Sequence, residues 1–220
     1  MRLEEMTTDD IRQLATFCDT ALITLGGASW RPAHLPIGTS WFILRRLRDL
    51  LEGTLGGRMI TLPVLGINIQ GGQDDIFQIP KTAAIDLISH SISELMTKIP
   101  IRFCVFLTDS LEAEEVFHFA LERLSENDHI IPLTFVWWRD GFKVDQGDQV
   151  QFLARSGEME TSLLLSIAKR LVDLEQKSAV RHAAIQASEQ TGNAYWTTLE
   201  TSLLEQVQSM WVGGNSQTVV

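Results

Sequence analysis

Four short apolar runs alternate with amphipathic stretches along this chain, and that alternation narrows its fold more than any other feature. The runs cover residues 21–25, 59–66, 102–107 and 131–138. Between and after them, residues 41–52, 83–98, 112–125 and 160–176 place apolar side chains at helical spacing, as with Leu163, Leu164, Ile167, Leu171 and Leu174. A further short helix is expected over 8–18, capped by Thr7 or Thr8. Gly53 is a natural stop for the 41–52 helix, and Pro100 for the 83–98 helix. Strands that alternate with helices lie parallel and are covered on both faces. The expected fold class is therefore α/β, a three-layer α/β/α sandwich with a mostly parallel sheet. Sites in such sheets form beyond the carboxyl ends of the strands, so the loops at 26–40, 66–82, 108–112 and 139–160 are expected to converge.

Composition excludes some roles. A chain of 220 residues, 45% hydrophobic and 21% charged, can bury a substantial core. Its net charge of −10 argues against nucleic-acid binding, which needs a basic face. The one dense basic cluster, Arg45, Arg46 and Arg48, lies on an amphipathic helix and reads as a solvated helix face. No apolar run is long enough to span a membrane, and the acidic start MRLEEMTTDD lacks a signal-peptide core, so a cytoplasmic protein is expected. Cys18 and Cys104 sit in apolar surroundings and read as buried free thiols. His90, His118, His129 and His182 have no partner spacing, and Gly56-Gly57 and Gly71-Gly72 read as turn glycines.

Three segments carry a resemblance. The first is TALITLGGASWRPAHLPIGTS, residues 20–40, with Gly26, the run His34-Leu35-Pro36, and Gly38-Thr39. The second comprises Gln78-Ile79-Pro80-Lys81-Thr82 and, after the next strand, Thr108-Asp109-Ser110. The third is Arg155-Ser156-Gly157-Glu158-Met159-Glu160-Thr161-Ser162-Leu163. Together they resemble the creatininase family, whose members carry something close to LLPVGSTEQHGPHLPLGTD, then F-P-G-T, N-G-H-G-G-N and H-A-G-E-x-E-T-S-L. The resemblance covers roughly residues 18–175 and implies the creatininase-like fold.

It also implies what the site once held. Family enzymes use two divalent metals, such as zinc or manganese, to hydrolyse cyclic or linear amides. By position, Ser29 and Arg31 stand where the family has its Glu and His ligands, and Ser40 stands where it has a ligand Asp. Asp109 replaces a ligand His, Arg155 replaces another His, and Glu160 keeps an acidic side chain. A serine hydroxyl is a poor ligand, and an arginine brings a fixed positive charge. No metal cofactor is therefore expected. Arg31 either pairs with Glu160, Glu158 or Asp109 inside the old site or points to solvent from its loop. His34, Asp109, Glu158 and Glu160 remain candidates for acid/base work. Ser29, Arg31, Ser40, Trp137, Trp138 and Arg155 are the expected pocket residues. Of the two tryptophans, one is expected in the core and the other exposed. For His34 the preferred reading is a hydrogen-bonded loop histidine.

The expected organisation is an α/β domain over residues 1–177, a helical extension over 178–212, and a disordered tail over 213–220. The extension reads as one or two helices interrupted near Gly192-Asn193. Its Tyr195, Trp196, Leu199, Leu203, Val207, Met210 and Trp211 either dock on their own domain or form a subunit contact. Family enzymes are ring-like homo-oligomers. The leading functional reading is a non-catalytic subunit or scaffold, assembling with itself or with an active paralogue. The alternatives are metal-independent or single-metal amide hydrolase or acid/base chemistry in the same pocket, and a small-molecule binder.

Overall fold

The computed structural model describes the chain except for residues 15–16, 72–75, 125–128, 143–156, 180–185 and 217–220, and the side chains at 14, 177–179 and 215–216. Its centre is a four-stranded parallel sheet of β1 (Thr20–Leu25), β2 (Met59–Thr61), β5 (Phe103–Thr108) and β6 (Ile131–Val136), in the order β2-β1-β5-β6. A small parallel pair, β3 (Asn68–Ile69) and β4 (Gln78–Ile79), lies apart from it in a separate sheet. Every residue of β1 and β5 is buried. That fits their sequences, which are apolar apart from the threonines Thr20, Thr24 and Thr108, because a parallel strand covered on both faces has no side to leave charged.

The helices are α1 (Thr8–Leu14), α2 (Thr39–Leu55), α3 (Lys81–Met96), α4 (Leu111–Glu122), α5 (Trp137–Asp140), α6 (Glu158–Ala168), α7 (Leu174–Ala179) and α8 (Glu189–Ser216). Successive strand residues point to opposite faces. Ile23 and Phe106 therefore join α3 and α4 in one core, where Phe106 stacks on Phe117 at 4.2 Å. Leu22, Val105, Leu107 and Phe135 join α2, α6 and α8 in the other. The molecule is the expected three-layer sandwich. Cys18 and Cys104 are free and buried, and burial pushes the Cys104 thiol up to about 12. Among the described residues, no helix is long and apolar enough to cross a membrane.

Several boundaries differ from the sequence expectation, each for a local reason. The last strand stops at Val136 rather than Trp138, because the Asp140 carboxylate accepts a hydrogen bond from the Val136 amide at 2.7 Å and closes a turn. Helix α2 runs through Gly53 to Leu55, since Gly53 packs against nothing that would end it. The helix expected over 160–176 is two helices. Asp173 caps α7 by accepting from the amides of Glu175 and Gln176, both at 3.0 Å, and so breaks the run. Arg48 is buried beside Asp49, so the basic cluster is not a uniformly solvated face.

Helix α8 is continuous from Glu189 to Ser216 and is not interrupted at Gly192. The helix also includes Gly213 and Gly214, where a disordered tail was expected, and residues 217–220 lie outside the described residues. Its Trp196, Leu199, Leu203 and Val207 are buried in the second core, so the stripe docks on its own domain. Near its end, Trp211 donates to Thr20 Oγ1 at 2.9 Å. The Arg58 guanidinium lies 4.6 Å from the centre of that indole and is held by both oxygens of Asp19. Residues 189–216 thus complete a layer of the sandwich.

Candidate functional site

From β1 the chain moves outward to β2, and from β5 outward to β6 on the other side. The crevice between the carboxyl ends of β1 and β5 is therefore a topological switch point, where open α/β sheets place their sites. Gly26 follows β1 there and Asp109 follows β5. A Cβ on Gly26 would stand 2.3 Å from Leu44 Cδ1 and 3.2 Å from Asp109 Oδ1, so any side chain at the exit from β1 would have to displace the buried Leu44. Asp109 is buried, and its carbonyl accepts from Trp138 Nε1 at 2.9 Å.

The loop that leaves Gly26 is tied down along its length. The Gly27 amide donates to Asn68 Oδ1 at 3.1 Å. The Asn68 amide group donates in turn to the carbonyls of Ala28 and Ile76, at 2.6 and 2.7 Å. The Ser29 amide donates to the Ile37 carbonyl at 3.0 Å, and Ser29 is buried. Asn68 organises this loop and is absent from the sequence-based candidates. An asparagine on a two-residue strand carries no signal of its own.

Arg31 turns inward. Its Nη2 donates to Ser40 Oγ at 2.9 Å and to Glu160 Oε1 at 3.0 Å, and the Arg31 and Glu160 side chains are 2% and 0% exposed. The internal pair is thus realised, and the solvent-pointing alternative is not. Arg31 Nε has no hydrogen-bond partner among the described residues. Glu160 lies in the first turn of α6, where the helix dipole also favours a negative charge.

One residue on, a second clasp joins the same elements. His34 Nε2 lies 2.9 Å from Thr161 Oγ1, and that hydroxyl donates to the Gly157 carbonyl at 2.7 Å. A hydroxyl has one proton to give, so His34 Nε2 must be the donor in the first bond. The His34 carbonyl accepts from the Asp173 amide at 3.0 Å. His34 is held as a buried, hydrogen-bonded loop residue.

The other candidates are distributed unevenly. Glu158 faces α8: its oxygens accept from Ser162 Oγ and from Tyr195 OH, both at 2.7 Å. Trp137 and Trp138 are both buried, against the expectation that one is exposed. The turn at α5 folds both rings inward, one into the second core and the other onto Asp109. Arg155 lies outside the described residues. The structure therefore brings together Arg31, Ser40 and Glu160, with the loop residue His34 bonded to the adjacent Thr161 of α6, and it directs Glu158 elsewhere.

The Glu158 contact has a measurable consequence. Burial, together with the hydrogen bond to Glu158, pushes the Tyr195 phenol up to about 12. Tyr195 is the only tyrosine in the chain, so phenolate absorbance reports on it alone. A raised folded pKa means that this group's contribution to stability is complete below about pH 10, the unfolded value, and is lost as pH rises towards 12. An absorbance titration of the native protein is expected to lag the titration in denaturant, and Glu158→Gln is expected to narrow the gap. Coincident curves would place Tyr195 in water.

No family model matches the chain, and no curated protein matches it. Solved structures do. A crystal structure of creatinine amidohydrolase (creatininase) superposes with a TM-score of 0.77 at 14% identity, over 94% of this chain and 96% of that one. The chain has the creatininase fold. A manganese creatininase gives a TM-score of 0.73 at 15% identity, over 94% of this chain and 97% of that one. A putative creatinine amidohydrolase from Bacteroides fragilis gives 0.67 at 14% identity, over 96% of each chain. A creatininase of Zn-Zn type is also among the matches.

The creatininase fold raises the question of metals, and the donor set here does not suit a pair of dications. Two such ions need several anionic or imidazole ligands to offset their charge. Glu160 is already neutralised by Arg31, and Ser29 and Ser40 bring no charge. Among the described residues, no three of His, Cys, Asp and Glu are placed to hold a metal ion. A guanidinium cannot be deprotonated to make room, and a dication about 4 Å from it would be repelled by several kcal/mol.

Proposed function

We infer that this creatininase-fold protein acts by binding, as a non-catalytic subunit or scaffold, and not by two-metal amide hydrolysis. The observation that carries this reading is the buried Arg31–Glu160 pair at the sheet's switch point. The arginine supplies, from within the chain, the positive charge that a metal would otherwise bring to Glu160. The partner is a second copy of the chain or a metal-bearing relative of the same fold. Two free buried thiols suit a reducing, cytoplasmic setting.

The deciding measurement is metal content on protein purified without added metal or chelator. The expected result is less than about 0.1 equivalent of zinc, manganese or iron per chain, with no amide hydrolysis after any of the three is added. Roughly one or two bound equivalents, with metal-dependent hydrolysis, would overturn the reading and restore the chemistry of the fold. A second reading rests on Asp109, which is buried at the switch point. It could serve as a metal-independent acid or base, with Glu160 or His34 in the same role. Turnover of an amide in the presence of chelator, lost in Asp109→Asn, would favour it.

A further inference from the structure

The two edges of the central sheet differ. At the β2 edge, the Thr61 amide donates to the Met1 carbonyl at 2.7 Å and the Met1 nitrogen donates to the Met59 carbonyl at 3.0 Å, so residues 1–2 close that side. At the other edge, β6 is paired with β5 alone. The Ile131 amide donates to the Arg102 carbonyl at 2.8 Å, which sets the alternation. Ile131, Leu133 and Phe135 turn their backbone groups towards β5, and Pro132, Thr134 and Val136 turn theirs outward. Pro132 has no amide hydrogen, as suits an edge strand, and the Val136 amide is taken by Asp140. Among the described residues, the Thr134 amide and carbonyl and the Pro132 carbonyl have no partner.

A groove of 390 Å³ runs beside this edge, between β6 and the flank of α4. Leu111, Leu121 and Pro132 give it apolar lining, and Leu111 is 37% exposed. Its charged lining is acidic: Glu114 and Glu115 belong to it, and no Lys or Arg does. Arg139 holds both oxygens of Glu114, at 2.7 and 2.9 Å. Glu115 pairs with Lys81, but both side chains are close to half exposed, so that pair contributes little and yields to a competing cation. Glu122 lies two turns along α4 from Glu115. The neighbouring segments outside the described residues do not reverse this balance. Residues 125–128 add Glu126 and Asp128, and residues 143–156 set Lys143 and Arg155 against Asp145 and Asp148.

We propose that β6 accepts an extended, lysine- or arginine-bearing segment of a second protein as an added strand, with one row of its side chains in this groove. Thr134 supplies the donor and acceptor that pair with the incoming backbone. Side chains of an extended segment alternate between faces, so every second one meets α4. An apolar side chain there fits beside Leu111 and Leu121, and a cationic one reaches Glu115. A second copy of this chain is a poorer occupant, because edge-to-edge pairing would set the acidic α4 flanks of two chains side by side. The surface is separate from the switch point, since none of Arg31, Ser40 and Glu160 lines the groove. The proposal goes beyond assembly with relatives of the same fold and stands whatever the metal content.

Hydrogen exchange and titration calorimetry on the full chain test this, with a blocked peptide of alternating lysine and valine as the probe. The expected result is slowed exchange at the Thr134 amide, with a dissociation constant of roughly 0.1–1 mM that weakens as salt rises. Thr134→Pro removes that amide and puts a second proline at an outward position. It is expected to weaken binding at least about tenfold. If that variant misfolds, the same peptide N-methylated throughout replaces it, because it keeps its charge and loses its strand donors. The same loss is then expected on the wild type. No binding at millimolar peptide would overturn the proposal. Binding indifferent to Thr134→Pro or to N-methylation, or matched by a glutamate–valine peptide, would also overturn it. So would protection of Thr134 by self-association without peptide, which would assign the edge to a second copy.

Discussion

Arg31→Met is expected to lower the thermal midpoint by about 10 °C, the largest effect of any single change at the site. Breaking a buried pair by removing one partner costs about 3–5 kcal/mol, because the remaining charge is left unpaired. For a chain of this length each kcal/mol shifts the midpoint by about 2–4 °C. Here the remaining charge is Glu160, with a side chain 0% exposed. The helix dipole at the start of α6 offsets part of the cost but cannot replace a guanidinium at 3.0 Å. The double variant Arg31→Met/Glu160→Gln is expected to recover most of the loss, since a buried pair replaced by neutral groups is often tolerated. Differential scanning calorimetry on the three proteins decides the matter. A single variant that melts within about 2 °C of wild type would mean that Glu160 reaches water, and the pair would then lose its place in the functional argument.

Gly192→Ala is expected to destabilise the protein by about 3 kcal/mol or more, beyond the usual range for overpacking. A Cβ there would fall 1.9 Å from the Ser162 carbonyl oxygen and 2.5 Å from its carbon. The obstacle is backbone, so no side chain can rotate away, and α6 and α8 must move apart. That movement strains the bonds between them, including Tyr195 to Glu158 and Trp196 Nε1 to the Leu163 carbonyl at 3.2 Å. Gly53→Ala is the control. Gly53 lies within α2, its added Cβ would meet nothing, and the change is expected to be neutral or to stabilise by up to about 1 kcal/mol. Urea unfolding of both variants separates a packing glycine from a merely tolerated one. Equal midpoints would show that α8 does not approach α6 this closely.

The two glycines illustrate where sequence reading stops. Gly53 looks like a helix stop and Gly192 like a helix break, yet both lie inside continuous helices. What a glycine does depends on what lies across from it, and that is set by residues far away in the chain. Ser162 is thirty positions from Gly192 in sequence and in van der Waals conflict with its missing Cβ. The same holds for Trp137 and Trp138. Their composition suits a strand end, but the Asp140 bond to Val136 turns the chain and buries both rings. Asn68 bonds to Gly27, Ala28 and Ile76 across long loops, and no local pattern announces it.

By itself the sequence determined the layering. Short apolar runs mark strands covered on both faces, and apolar residues that recur every three to four positions mark helices. It also determined the character of the site, because the motif positions in residues 20–40 and 155–163 carry Ser29, Arg31, Ser40 and Glu160 whatever the coordinates are. Only the tertiary structure decided that Arg31 turns inward to Glu160, that Glu158 turns away to Tyr195, and that α8 belongs to the sandwich. Each of those outcomes is a competition between solvent and a partner distant in sequence, and it is settled by burial, which a linear pattern does not contain.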